Sequence, residues 1–104
     1  MGYARPRPER LSEKLRQIRT ALGLSLSEMH RHLDAEDLIV SSQISGYETG
    51  SREPSLLILL RYARLARIPT EVLIDDDLNL PEKLPGTTNH EEIKRKFGAR
   101  SKKR

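Results

Sequence analysis

Cysteine and tryptophan are absent from this 104-residue chain, and aromatic residues make up only 4% of it, one Phe and three Tyr. Without cysteine there is no disulfide and no thiolate metal site, which fits a reducing compartment. The shortage of rings leaves Leu and Ile to build the core. Apolar residues total 36%, below the usual globular share but enough for a small core. The length predicts one compact domain. No apolar run approaches the roughly 18 residues of a membrane span. The opening MGYARPRPER lacks the apolar stretch of a secretory signal. The expectation is an intracellular protein with no membrane partner.

Catalytic groups are also sparse. His30 and His32 are two apart and cannot share one helical face as metal ligands, and His90 is distant in sequence. No metal and no cofactor are expected. A hydrolytic constellation needs a nucleophile beside a positioned base, and the run Asp75-Asp76-Asp77 offers none. It reads as a solvated helix terminus, and the chain does not read as an enzyme.

What the sequence does have is basic charge at its two ends. The net charge of +4 divides into +2 over residues 1–10, +1 over 11–70, −4 over 71–85 and +5 over 86–104. Basic arms suit a polyanion such as nucleic acid, and they also serve as solubilising tails.

The apolar pattern predicts a small all-α domain of five short helices. Pro6 and Pro8 push their predecessors toward extended backbone, so residues 1–8 read as a flexible basic arm. From Glu9 to Leu22 the apolar positions Leu11, Leu15, Ile18 and Leu22 form one helical stripe, and Gly23 is a C-terminal stop. Ser25-Leu26-Ser27-Glu28 fits a capping box opening a second helix to about residue 35. A third spans 41–49 and stops at Gly50. Ser55 caps a fourth over 56–66, which Ile68-Pro69 ends, and TEVLI at 70–74 forms a fifth. The domain is placed at 9–77, and 78–104 reads as an extended or disordered basic tail.

The third helix, SSQISGYET, is unusually polar for its place. Ile44 and Tyr47 are three apart and share its buried side. Ser41, Ser42, Gln43 and Ser45 remain. Small hydroxyl and amide groups on one helix can bond base edges in a major groove. The same residues also serve as an ordinary helix start with a solvated face.

Four segments in order carry a family resemblance: Leu15-Arg16-x-x-Arg19 with Gly23-Leu24-Ser25, then Ile44-Ser45-x-Tyr47-Glu48-x-Gly50, then Arg52-x-Pro54-Ser55, then Leu59-Leu60 with Leu73-Ile74. Over about residues 11–75 the chain resembles the phage-repressor-like helix-turn-helix family, the XRE or Cro-like class. The resemblance implies a five-helix lambda-repressor-like domain with helix 41–49 as the DNA-recognition helix. It implies base-reading positions among Ser41, Ser42, Gln43 and Ser45. It also implies phosphate contacts at Ser25, Ser27, Ser51 and Arg52, and an Arg19–Glu48 ion pair. Arg5, Arg7 and Arg10 are expected to reach a minor groove as arm contacts. The implied protein is a cytoplasmic, nucleoid-associated regulator of bacterial or phage type, most simply a repressor.

The chain departs from the family in three places. Residues 34–40 form an insert of about four residues, which reads either as an extension of the second helix or as an acidic loop. Leu26 and Gly46 stand where many members carry polar DNA contacts. His30 replaces a usually small residue where the second and third helices pack. In Leu56-Leu57-Ile58-Leu59-Leu60 the family pattern buries 56, 59 and 60, leaving Leu57 and Ile58 as a possible homodimer surface. An antitoxin-type or adaptor protein is the alternative, binding a protein partner through the insert or through Leu57 and Ile58. Only about 30 residues follow residue 74, too few for a second core.

Overall fold

A computed structural model describes residues 6–85. Arg5 and the basic tail from 86 onward therefore lie outside the described residues. Among those described there are five α-helices and no strand: α1 Leu11–Leu22, α2 Leu26–His32, α3 Ser41–Thr49, α4 Leu56–Ala66 and α5 Thr70–Ile74. The core gathers Leu11, Leu15, Ile18, Met29, Ile44, Tyr47, Leu59, Tyr62 and Leu73. Against it α3 packs on α1 and α2, while α5 packs on α4 and α1.

Local chemistry sets most of the helix ends. The Ser25 hydroxyl accepts from the Glu28 N–H at 3.1 Å, and the Glu28 carboxylate accepts from the Ser25 N–H at 2.8 Å. This reciprocal capping satisfies two donors that α2 itself cannot. The Ser55 hydroxyl likewise accepts from the Ile58 N–H at 3.3 Å. Helix α1 has no side-chain cap of its own. Its cap comes from 66 residues away: the Asp76 carboxylate accepts from the Glu9 and Arg10 N–H groups at 2.9 and 3.0 Å. Asp76 of the acidic run therefore ties the start of α1 to the segment after α5, and the run is not merely a solvated terminus.

Two basic residues reinforce that tie. Arg10 donates to the carbonyl of Asp76 at 2.8 Å and to the Asn79 side chain at 2.8 Å. Lys14 is 1% exposed, and its ammonium donates to the carbonyls of Val72 and Asp75 at 2.7 and 2.9 Å. It satisfies the last turn of α5, where carbonyls lack helical partners. Burial holds the Lys14 pKa below its ordinary value.

Four expectations are corrected here. Helix α2 ends at His32, because Asp34 takes a left-handed conformation (φ 55°), so the insert is a loop. It is anchored rather than loose. Ala35 and Ile39 are buried, His30 Nε2 meets the Ile39 carbonyl at 2.7 Å, and Arg61 donates to the carbonyls of Leu33 and Asp34. Second, Ile58 is 1% exposed and belongs to the core, while Leu56 and Leu57 are 82% and 59% exposed. The buried stripe of α4 runs 58, 59, 62, 63, 66. Tyr62 sets this phase, and its neighbour one turn back is Ile58. Third, the segment after 77 is not wholly a tail, since Leu84 is buried and Leu80 packs on the core. Fourth, Arg10 does not belong to a free arm, as its bonds to the C-terminal segment show.

Candidate nucleic-acid interface

Helix α3 turns Ile44 and Tyr47 into the core and leaves Ser42, Ser45 and Thr49 exposed. Their spacing of three and four places them on one outward face. Ser41 is half-buried. Gln43 is engaged elsewhere, since its side-chain oxygen accepts the Val40 N–H at 3.0 Å and caps the start of α3. Val40 has no oxygen in its side chain to do this, so the Gln43 oxygen is committed to the helix end while its NH2 group keeps two donors.

The loop after α3 folds back onto the helix. Gly50 takes a left-handed conformation (φ 83°), which glycine adopts without a side-chain clash. The Arg52 N–H then bonds the Gly46 carbonyl at 3.1 Å. The hydroxyls of Thr49 and Ser51 approach the same carbonyl at 3.2 and 3.4 Å. A Cβ on Gly46 would sit 3.1 Å from the Arg52 Cβ and 3.3 Å from the Ser51 hydroxyl. The glycine inside this helix thus admits the loop, and it brings the exposed Ser51 and Arg52 beside the serine face.

The orientation of α3 is fixed from α1. Arg19 donates from Nε and Nη2 to the two Glu48 carboxylate oxygens at 2.7 and 3.0 Å, and from Nη1 to the Leu24 carbonyl at 2.9 Å. Two parallel bonds between planar groups set angle as well as distance. The bond to Glu48 raises the Arg19 pKa further. Behind the pair lies the fully buried Tyr62, whose hydroxyl finds no hydrogen-bond partner among the described residues. Burial pushes the Tyr62 and Tyr47 phenols upward, so both stay neutral at ordinary pH.

At the start of α2, Ser25 and Ser27 are exposed. The Ser25 hydroxyl accepts the Glu28 N–H and keeps its own proton to donate. Leu26 is half-buried and packs on the core. Arg7 donates to the Gly50 carbonyl at 3.2 Å, and its Nε lies 4.0 Å from the Glu53 carboxylate. It therefore sits against the α3–α4 loop. Sequence reasoning missed Gly46 as the seat of that loop and Gln43 as a cap. The Val40–Gln43 spacing carried a signal for the second, since Gln at the third helical position is a known capping residue.

No group of three or more His, Cys, Asp or Glu able to hold a metal ion occurs among the described residues. No helix among them is long and apolar enough to cross a membrane. The sequence model of the Helix-turn-helix family matches residues 15–73, from the middle of α1 into α5. No curated protein and no solved structure matches the chain.

Proposed function

Because the chain belongs to the helix-turn-helix family, in its XRE, lambda-repressor-like branch, a family of DNA-binding regulators, we propose that it is a sequence-specific transcriptional repressor acting in the cytoplasm on duplex DNA. The observation that carries this reading is the outward row of Ser42 and Ser45 on α3, flanked by the Ser51–Arg52 loop that Gly46 admits. In this reading Ser42 and Ser45 bond base edges, Ser41 lies at the groove edge, and Ser25, Ser27, Ser51 and Arg52 hold phosphates. Gln43 caps α3 through its oxygen and keeps its NH2 group to donate to a base edge. Binding of the purified protein to its own upstream DNA against random duplex, at several salt concentrations, tests this. The expected result is a preference of about 10³ or more with a steep salt slope. Equal weak binding to both would contradict it.

The same proposal includes a homodimer, since paired recognition helices read two half-sites. With Ile58 in the core, the surface left for pairing is Leu56 and Leu57. A second reading, a protein partner, is favoured by the exposed Leu38 and Val40 in the insert, 44% and 60% exposed.

A further inference from the structure

An open, mostly apolar groove runs between α1 and the segment that follows α5. Gln17 and Ala21 of α1 line one side, and Leu80, Pro81, Glu82 and the buried Leu84 line the other. It encloses about 190 Å³, more than the roughly 150 Å³ that admits a benzene ring. Along α1 it continues into a depression bordered by Glu13, Arg16 and Thr20. Gln17 lies about 200° around the helix from Arg19, the residue that meets α3 through Glu48. The groove therefore opens on the side of α1 turned away from α3.

The described residues end at Pro85, next to the Leu84 that lines this groove, and residues 86–104 follow. Their sequence carries a helix signature. Asn89 with Glu92 three residues on marks a start, Lys94, Arg95 and Lys96 suit a last turn, and Gly98 is a stop. Ile93 and Phe97 are four apart and share one face. They are the only large apolar residues after Pro85, and Phe97 is the one Phe of the chain. A helix over 90–97 is shorter than the roughly 12 residues that hold alone in water, so it needs a surface to lie on. Residues 86–89 span up to roughly 13 Å, which keeps that segment close to the groove at an effective concentration on the order of millimolar. The rims carry Glu13 and Glu82 together with Arg16. That mixed charge suits a segment with Glu91 and Glu92 at its start and three cations at its end. We propose that residues 90–97 of the same chain dock in this groove, with Ile93 and Phe97 as anchors over Ala21, Leu80 and Leu84. Docking holds Lys94, Arg95 and Lys96 on the side of α1 away from α3.

Fluorescence of Phe97→Trp in the full chain tests this, since the sequence has no other tryptophan. The expected indole emission is blue-shifted and protected from acrylamide in the folded protein, and it stays so on hundredfold dilution. Adding Ala21→Gln, a neutral change at an exposed helix position, lays a longer polar side chain across the groove. It should return the emission and the quenching to those of the urea-unfolded chain. Amide hydrogen exchange covers the case in which indole does not fit where the Phe ring does. Without the tryptophan, amides 93–97 should exchange more slowly in wild type than in Ala21→Gln. Matched thermal melts establish that the variants fold. Exchange over 93–97 as fast in folded wild type as in an unstructured peptide would overturn the proposal. So would protection that survives Ala21→Gln, which places the segment elsewhere. Protection that fades on dilution would overturn it as well, because the segment then lies on a second copy.

Discussion

Arg19 and Glu48 clasp α1 to α3 through two parallel hydrogen bonds of 2.7 and 3.0 Å, with the Glu48 side chain only 7% exposed and that of Arg19 22%. Such a pair lies between the exposed regime, worth at most about 1 kcal/mol, and the buried one, where losing a single partner costs about 3–5 kcal/mol. Arg19→Met should therefore destabilise by about 2–3 kcal/mol in urea unfolding, because Glu48 is left charged and unpaired. The double variant Arg19→Met/Glu48→Leu should lose clearly less than the two single changes summed. Additive losses would mean that the pair does not couple the helices.

Tyr62→Phe should stabilise the domain by up to about 1 kcal/mol. The ring volume is kept, and a buried hydroxyl without a partner among the described residues is removed. A drop in Tm of more than a few degrees would show that the hydroxyl is satisfied after all.

Gly46→Ala separates stability from binding. Alanine gains about 1 kcal/mol of helix propensity, but its Cβ meets the Arg52 Cβ at 3.1 Å, and the exposed loop must move. Stability should stay within about 1 kcal/mol of wild type while DNA affinity falls. A variant that binds as well as wild type would show that the seat of the loop does not matter.

Asp76 is held ionised by the backbone N–H groups of Glu9 and Arg10, which lower its pKa. A carboxylate whose folded pKa is depressed adds stability that is present above its unfolded pKa and lost as the pH falls through the folded one. Its loss should appear in thermal melts below about pH 4. Glu28, lowered by its bond from the Ser25 N–H, shifts stability with pH in the same direction. Asp76→Asn should melt lower than wild type at pH 7 and show a flatter acid limb. Parallel curves for the two proteins would contradict the role given to the cap.

Much of the fold is legible in the sequence because local chemistry decides it. The stripe of α1, the Gly23 stop, the Ser25–Glu28 box, the Ser55 cap and the bounds of α3, α4 and α5 follow from spacing and capping residues. What is not legible depends on long-range partners. Five successive apolar residues at 56–60 carry no phase, and only packing around Tyr62 decides that Ile58 goes in and Leu56 stays out. No local pattern says that Asp76 caps a helix 66 residues earlier, or that Leu84 rejoins the core. Gly46 reads as a weak point in a helix until the returning loop supplies its reason.

The most direct test of the central reading is selection from a random duplex pool with the full chain, followed by binding of the selected site at physiological salt. The expected result is an enriched sequence bound about 10³-fold or more tighter than random duplex. In that result Ser42→Ala and Ser45→Ala each lose about 1 kcal/mol on the selected site and nothing on random DNA. An unenriched pool, or serine variants that weaken both DNAs equally, would contradict base reading by α3.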